Sequence, residues 1–210
     1  MSDRIILADD HPLFRAALVQ AVHRVLPGAD IVEAGSLAEA RDALGDGASL
    51  ICLDLHMCDS TGFIGLTELR QDFPAIPVVV ISASEAPGIG ARALEFGASG
   101  FIPKTAGLDT LVEALRAVLA GDIWALDDAD ELSGEAADAT ARLASLTPAQ
   151  MRVLQGVAAG KLNKQIAFEM AITEATVKAH ITAVFRKLGV INRTQATLVA
   201  RALDVEPPAA

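Results

Sequence analysis

Five short apolar runs punctuate the first 122 residues: "RIILA" (4–8), "DIVEAG" (30–35), "LICLD" (50–54), "PVVVIS" (77–82) and "GFIP" (100–103). Apolar side chains stand at consecutive positions in most of them, so both faces of each strand have to be covered. Between the runs the spacing predicts helices over 13–25, 37–44, about 62–71, 88–96 and 107–120, with Gly97 and Gly121 as stops. Strands buried on both faces and alternating with helices form a parallel sheet sandwiched between helical layers. The sequence therefore predicts an α/β fold, a doubly wound five-strand parallel sheet, for residues 1–122.

The remainder reads differently. Residues 123–144, "IWALDDADELSGEAADATARLA", are acidic and rich in small residues, as in a linker, with helical character toward the C-terminal end. From 145 to 204 the pattern is all helical, with helices over 148–159, 163–170, 174–188 and 193–203; the tail 205–210 is expected to be disordered. Charge divides the same way. Residues 1–122 carry 8 basic and 17 acidic side chains (−9), residues 123–144 carry 1 and 6 (−5), and residues 145–204 carry 8 and 3 (+5). Glu206 brings the total to −10. An acidic domain joined to a small basic one implies two different partners.

Nothing in the chain approaches the roughly 20 apolar residues of a membrane span. The N-terminal apolar run ends in two acids, which does not suit a signal peptide. The two cysteines, Cys52 and Cys58, are read as reduced thiols, with Cys52 in the core.

In an open α/β sheet, ligands bind beyond the carboxyl ends of the strands. The polar residues at those ends are Asp9 and Asp10, Asp54, Ser82 and Lys104. Singly they mean little: Asp9 and Asp10 suit a helix start before Pro12, and Asp54 suits a loop cap. Together, three converging carboxylates repel one another, and a hard divalent cation such as Mg2+ relieves that repulsion. A lysine and a small hydroxyl supply what a dianionic tetrahedral group needs. Asp54, in the middle, is the candidate nucleophile for an acyl phosphate.

The segments "LADDHPLFR", "LDLHMCDSTG", "VVVISAS" and "GFIPK" resemble the signatures of response-regulator receiver domains, which have a flavodoxin-like fold. The resemblance implies that Asp54 accepts phosphate from a histidine kinase. It implies that Asp9, Asp10, Asp54 and the backbone carbonyl of His56 hold magnesium, that Lys104 pairs with the phosphoryl group, and that Ser82 and Phe101 form a switch pair. Two positions depart from the family pattern. Cys58 replaces a usual proline, so the loop after Asp54 is expected to be less rigid, and Lys104 is followed by Thr105 in place of proline.

In the basic segment, Val177, Ile181, Val184 and Leu188 form an apolar stripe on a helix that Thr173 caps, with Phe185 beside it. The opposite face carries Lys178, Ala179, Thr182 and Arg186. That is the mix of hydrogen-bonding tips, a small residue and positive charge that a helix in a major groove requires. Residues 146–196 are similar throughout to the LuxR/NarL (FixJ) type of helix-turn-helix domain. The likeness implies that Asn163, Lys164 and Thr176 touch phosphates and that Lys178, Ala179 and Thr182 read bases. It also implies that the helix from 193 helps form a dimer. Ala171 replaces the glycine usual in the turn, which suggests an altered turn, and Thr182 stands where some relatives carry a second lysine.

Two enzyme readings fail. "GIGARA" (88–93) follows the fourth strand, whereas a dinucleotide fingerprint opens the first strand–helix turn. A haloacid-dehalogenase-type phosphatase needs an acid two residues after the nucleophile, where His56 stands. The resemblance thus implies a non-enzymatic, cytoplasmic two-component phosphoprotein that binds double-stranded DNA, dimerises when phosphorylated and has no membrane partner. The alternative is a DNA-binding regulator whose receiver acts only as a dimer or partner module.

Overall fold

The computed structural model describes residues 3–84, 86, 88–125 and 134–200. They fall into two compact units, 3–125 and 134–200. The expected disordered tail, the middle of the expected linker and the end of the last helix lie outside the described residues.

The first unit runs β1 (Arg4–Ala8), α1 (Pro12–Val25), β2 (Asp30–Ala34), α2 (Leu37–Leu44), β3 (Leu50–Asp54), β4 (His56–Met57), β5 (Ser60–Thr61), α3 (Ile64–Asp72), β6 (Val78–Ser82), α4 (Ile89–Glu95), β7 (Gly100–Pro103) and α5 (Leu108–Leu119). Its main sheet has the order β2-β1-β3-β6-β7 with every pair parallel. The central strands β3 and β6 are buried along their whole length, as their unbroken apolar runs require. One face packs Ile5, Leu7, Cys52, Val79 and Ile81 against Leu18, Leu111, Leu115 and Val118 of α1 and α5. Burial pushes the Cys52 thiol up to about 12, with the negative charge of Asp9 adding to the effect, so it stays a protonated core residue. On the other side Phe63 and Phe96 stack, ring centroids 4.7 Å apart.

Helix and strand limits differ from the sequence reading where chemistry at a single residue decides them. Pro12 serves as the first helical residue of α1, a position whose N–H has no helical partner in any case. Pro77 lacks a ladder donor, and β6 starts one residue later. The hairpin of β4 and β5, pairing His56 with Thr61 and Met57 with Ser60, is too short for any periodic signal and delays α3. In its turn Asp59 accepts from the Leu37 and Ala38 N–H groups at 2.8 and 3.0 Å. This carboxylate fastens the loop after Asp54 to the start of α2.

The second unit contains α6 (Gly134–Ala144), α7 (Pro148–Ala158), α8 (Asn163–Glu169), α9 (Glu174–Leu188) and α10 (Arg193–Ala200). Its core includes Leu143, Leu146, Met151, Leu154, Val157, Ile166, Val177, Val184 and Leu188. The stretch read as linker is structured at both ends. Trp124 forms a parallel bridge with Gly100, bonding to Ser99 and Phe101, and α6 packs against α9 with Leu143 fully buried. An acidic composition rich in small residues hid an apolar anchor at each end.

The turn between α8 and α9 is a Schellman motif: Ile172 N–H donates to Ala167 and Ala171 N–H to Phe168. Ala171 adopts φ 53°, the left-handed conformation that glycine takes without penalty. The substitution has therefore kept the turn's geometry and strained it, contrary to the altered turn expected. Replacing Ala171 with Gly relieves a left-handed penalty of about 1–2 kcal/mol, against an entropy cost of about 0.5–1 kcal/mol. Hydrogen exchange of the α8 and α9 amides in the full chain should slow by the net, about 0–1.5 kcal/mol.

Candidate phosphoacceptor site and nucleic-acid interface

Strand order reverses between β1 and β3, which opens a crevice at their carboxyl ends. The register places Ala8 beside Leu53, so Asp9 and Asp54 emerge side by side one step later. Asp54 lies level with Ile81, and Ser82 with Pro103, bringing Ser82 and Lys104 to the same rim. The sheet thus collects the residues that the sequence scatters.

Asp9 and Asp54 are 1% and 3% exposed, and Asp10 is half-buried. The Lys104 ammonium sits 2.7 Å from Asp9 Oδ2 and 2.7 Å from Asp54 Oδ2. His56 N–H donates to Asp54 Oδ1 at 3.1 Å. Burial pushes the Asp54 carboxyl above its ordinary range, Asp9 adds to this, and the Lys104 and His56 bonds oppose it. The lysine is what makes a charge at the end of a buried strand tolerable.

Ser82 is fully buried, and its hydroxyl accepts from Ser84 N–H at 3.1 Å. Ser84 in turn accepts from Ala86 N–H at 3.3 Å, and Ala86 C=O accepts from Ile89 N–H at the start of α4. Phe101 is 8% exposed, with its ring against α4 at Gly90, where an added Cβ would meet Phe101 Cδ1 at 3.1 Å. The aromatic member of the expected switch pair is thus buried against α4.

Three neighbours of the cluster escaped the sequence reading. His11 points its ring at the carboxylates, and Arg15 donates to the Asp9 carbonyl at 2.7 Å while pairing with Glu33 at 2.7 Å. Their only sequence signal is position, just after the paired acids and at the end of a neighbouring strand.

In the second unit, α9 buries Val177, Val184 and Leu188, with Ile181 and Phe185 half-buried beside them. Thr176, Lys178, Ala179, Thr182 and Arg186 are all exposed, as is Lys164 on α8, while Asn163 is half-buried. Two polar tips have bonds within the protein: Thr182 donates to the Lys178 carbonyl at 3.0 Å, and the Thr176 and Thr173 hydroxyls lie 2.9 Å apart. Other basic residues serve the fold. Lys187 donates to Ser145 and Gln150, Arg193 to Val157 and Lys161, and Lys161 pairs with Glu169. Among the described residues, α8 and the outer face of α9 present the exposed cations Lys164, Lys178 and Arg186.

Comparison with known proteins matches both units. Residues 5–116 fit the family model "Response regulator receiver domain", and residues 144–200 fit "Bacterial regulatory proteins, luxR family". The chain is 38% identical to the "Glycerol metabolism activator" of Pseudomonas putida, over 96% of each chain. It is 32% identical to the "Nitrate/nitrite response regulator protein NarP" of Escherichia coli (strain K12), over 93% of each. The fold resembles RcsB from Salmonella enterica serovar Typhimurium, with TM-score 0.59, 21% identity, and coverage of 96% of this chain and 99% of that one.

Proposed function

Because this chain belongs to the response regulators, as a transcription factor with a receiver domain and a LuxR-type DNA-binding domain, we propose that phosphoryl transfer to Asp54 controls its hold on DNA. The observation that carries the reading is the convergence of Asp9, Asp10, Asp54 and Lys104 on one rim of the sheet.

The Asp54 carboxylate attacks the phosphorus of a phosphohistidine on a histidine kinase. The new O–P bond forms as the P–N bond breaks, with the electron pair leaving to the imidazole nitrogen. A buried carboxylate is a poorly solvated and hence stronger nucleophile, and Lys104 keeps it ionised. The same ammonium can then meet the oxygens of the transferred group.

The donor set fits magnesium: oxygen atoms of two buried acids and one half-buried acid face a single ammonium, which leaves excess negative charge. Asp9, Asp10, Asp54 and the His56 carbonyl would hold it. When bound, Mg2+ neutralises charge on the phosphoryl oxygens.

Phosphorylation favours a homodimer, which holds two α8–α9 modules on neighbouring half-sites of double-stranded DNA. Asn163, Lys164 and Thr176 contact phosphates. Lys178, Ala179, Thr182 and Arg186 face the groove, with the Thr182 hydroxyl exchanging its Lys178 carbonyl for a base edge. This work takes place in the cytoplasm, where the DNA is. No helix among the described residues is long and apolar enough to cross a membrane.

Titrating the full chain against two-half-site DNA, with and without phosphoramidate, tests the coupling; equal affinities would sink it. The buried Phe101 favours a second reading, in which the receiver is a phosphorylation-independent dimer or partner module, and equal tight binding is its signature.

The two classes of DNA contact should separate by salt. Lys164→Ala weakens binding to specific and random DNA alike and lowers the log–log salt slope by about 1. Thr182→Ala changes base preference at one position by about 1–3 kcal/mol, with the slope unchanged. Parallel losses on both DNAs for both variants would overturn the assignment.

A further inference from the structure

His11 is the residue at the carboxylate cluster to which nothing above gives a role. It occupies the N-cap of α1 with extended backbone, φ −97° and ψ 102°, yet its side chain makes no capping bond. Pro12 at the next position offers no N–H to cap. The His11 N–H donates to Asp9 Oδ1 at 2.7 Å, a short turn that fixes the ring over the crevice. Nδ1 then lies 2.8 Å from Asp10 Oδ1, 3.3 Å from Asp9 Oδ1 and 3.6 Å from Asp54 Oδ2.

A second observation shows what that nitrogen faces. The Lys104 ammonium, which can only donate, is 3.2 Å from His11 Nδ1 while it bridges Asp9 and Asp54. A cation already sits among these donors with the ring nitrogen turned to it. One atom each from Asp9, Asp10, His11 and Asp54 lies within 4.8 Å of all the others. Donors about 2.1 Å from a shared ion stand at most about 4.2 Å apart, so a contraction of about half an ångström completes the set.

We infer that His11 contributes Nδ1 as a nitrogen ligand to the divalent cation at this cluster, joining the three carboxylates and the His56 carbonyl in a site that favours a transition ion such as Mn2+ over Mg2+. The inference rests on the proposed cation site at Asp9, Asp10 and Asp54 and names a further ligand for it. Magnesium gains little from an imidazole, whereas manganese and later first-row ions gain more. The ring is 64% exposed, so an arriving ion meets it without any rearrangement of the core.

Pulsed electron paramagnetic resonance on the full chain loaded with Mn2+ alone reads the bond directly. Wild type should show nitrogen coupling from a coordinated imidazole, and 15N-histidine labelling should change that coupling. The coupling should vanish in His11→Gln and persist in His56→Gln. By calorimetry, His11→Gln should lose about 10- to 100-fold in Mn2+ affinity while its Mg2+ affinity stays nearly unchanged, because the amide oxygen suits magnesium. Mn2+ bound without histidine coupling in wild type, or with coupling intact in His11→Gln, overturns the role of His11 and leaves the carboxylate site standing. Failure of wild type to bind either ion overturns the carboxylate site itself.

Discussion

Asp54→Ala should take up no phosphoryl group from phosphoramidate and magnesium, a loss to below detection, while remaining folded. Of the three carboxylates only Asp54 ends the central strand β3, between β1 and β6, so neither Asp9 nor Asp10 is placed to substitute for it. Intact-mass measurement and peptide mapping read the result, and a phosphoryl group still present on the variant would move the acceptor elsewhere.

Stability should shift in the opposite direction to activity. The folded Asp54 carboxyl titrates above its unfolded value of 3.8, so the native state keeps a proton that the unfolded chain has released. The stability attributable to this group therefore falls as pH rises from about 4 through the folded pKa, and stays lowered above it. Asp54→Asn, of nearly equal volume, removes that cost. Lys104 is not stranded, because Asp9 still holds it at 2.7 Å. In chelator at neutral pH the Asn variant should match or exceed wild type in urea midpoint, with the gap closing toward pH 4. A variant less stable at neutral pH would mean that the Lys104 bond outweighs desolvation.

The rim was legible in the sequence because parallel strands impose a simple rule: side chains at their carboxyl ends meet, whatever their separation along the chain. Asp9, Asp54, Ser82 and Lys104 follow it, and the unbroken apolar runs located the strands. His11 and Arg15 belong to the turn after β1, where direction is set by a local hydrogen bond and by Pro12, which periodicity does not encode. Asp59 is a similar case, since its partners lie 21 and 22 residues away. The helical character expected at the end of 123–144 is α6, but its place in the second unit was hidden, because among acids and alanines only Leu143 offers a large apolar side chain to bury. Ala171 shows the reverse: its identity suggested a changed turn, yet the surrounding Schellman bonds hold the residue in a conformation it does not favour.

Ser82→Ala should still accept phosphate on Asp54 but lose most of the gain in DNA affinity that phosphorylation confers. In the structure the Ser82 hydroxyl begins a chain of bonds that runs through Ser84 and Ala86 to the first residue of α4. A dianionic group on Asp54 competes for that hydroxyl, and a charged acceptor makes a hydrogen bond roughly twice as strong as a neutral one. Drawing the hydroxyl away frees the Ser84 N–H and loosens the hold on α4. Phe101 senses this because its ring lies on Gly90 of α4, while its backbone N–H is tied to the Trp124 carbonyl at 3.1 Å. Phe101 is inside already, so the response is a change in how α4 packs on it, and the surface formed by α4, β7 and α5 changes with it. If that surface forms the dimer, linking two modules raises affinity on a two-half-site DNA by about 100-fold or more. Alanine cannot be drawn to the phosphoryl group, so the gain should shrink to a few-fold. The substitution leaves the Ser84 N–H unpartnered at a cost of about 1–3 kcal/mol, and retained phosphorylation shows that the site survives it. Titration of phosphorylated and unphosphorylated wild type and variant decides the matter, and an undiminished gain in Ser82→Ala would mean that the signal leaves Asp54 by another route.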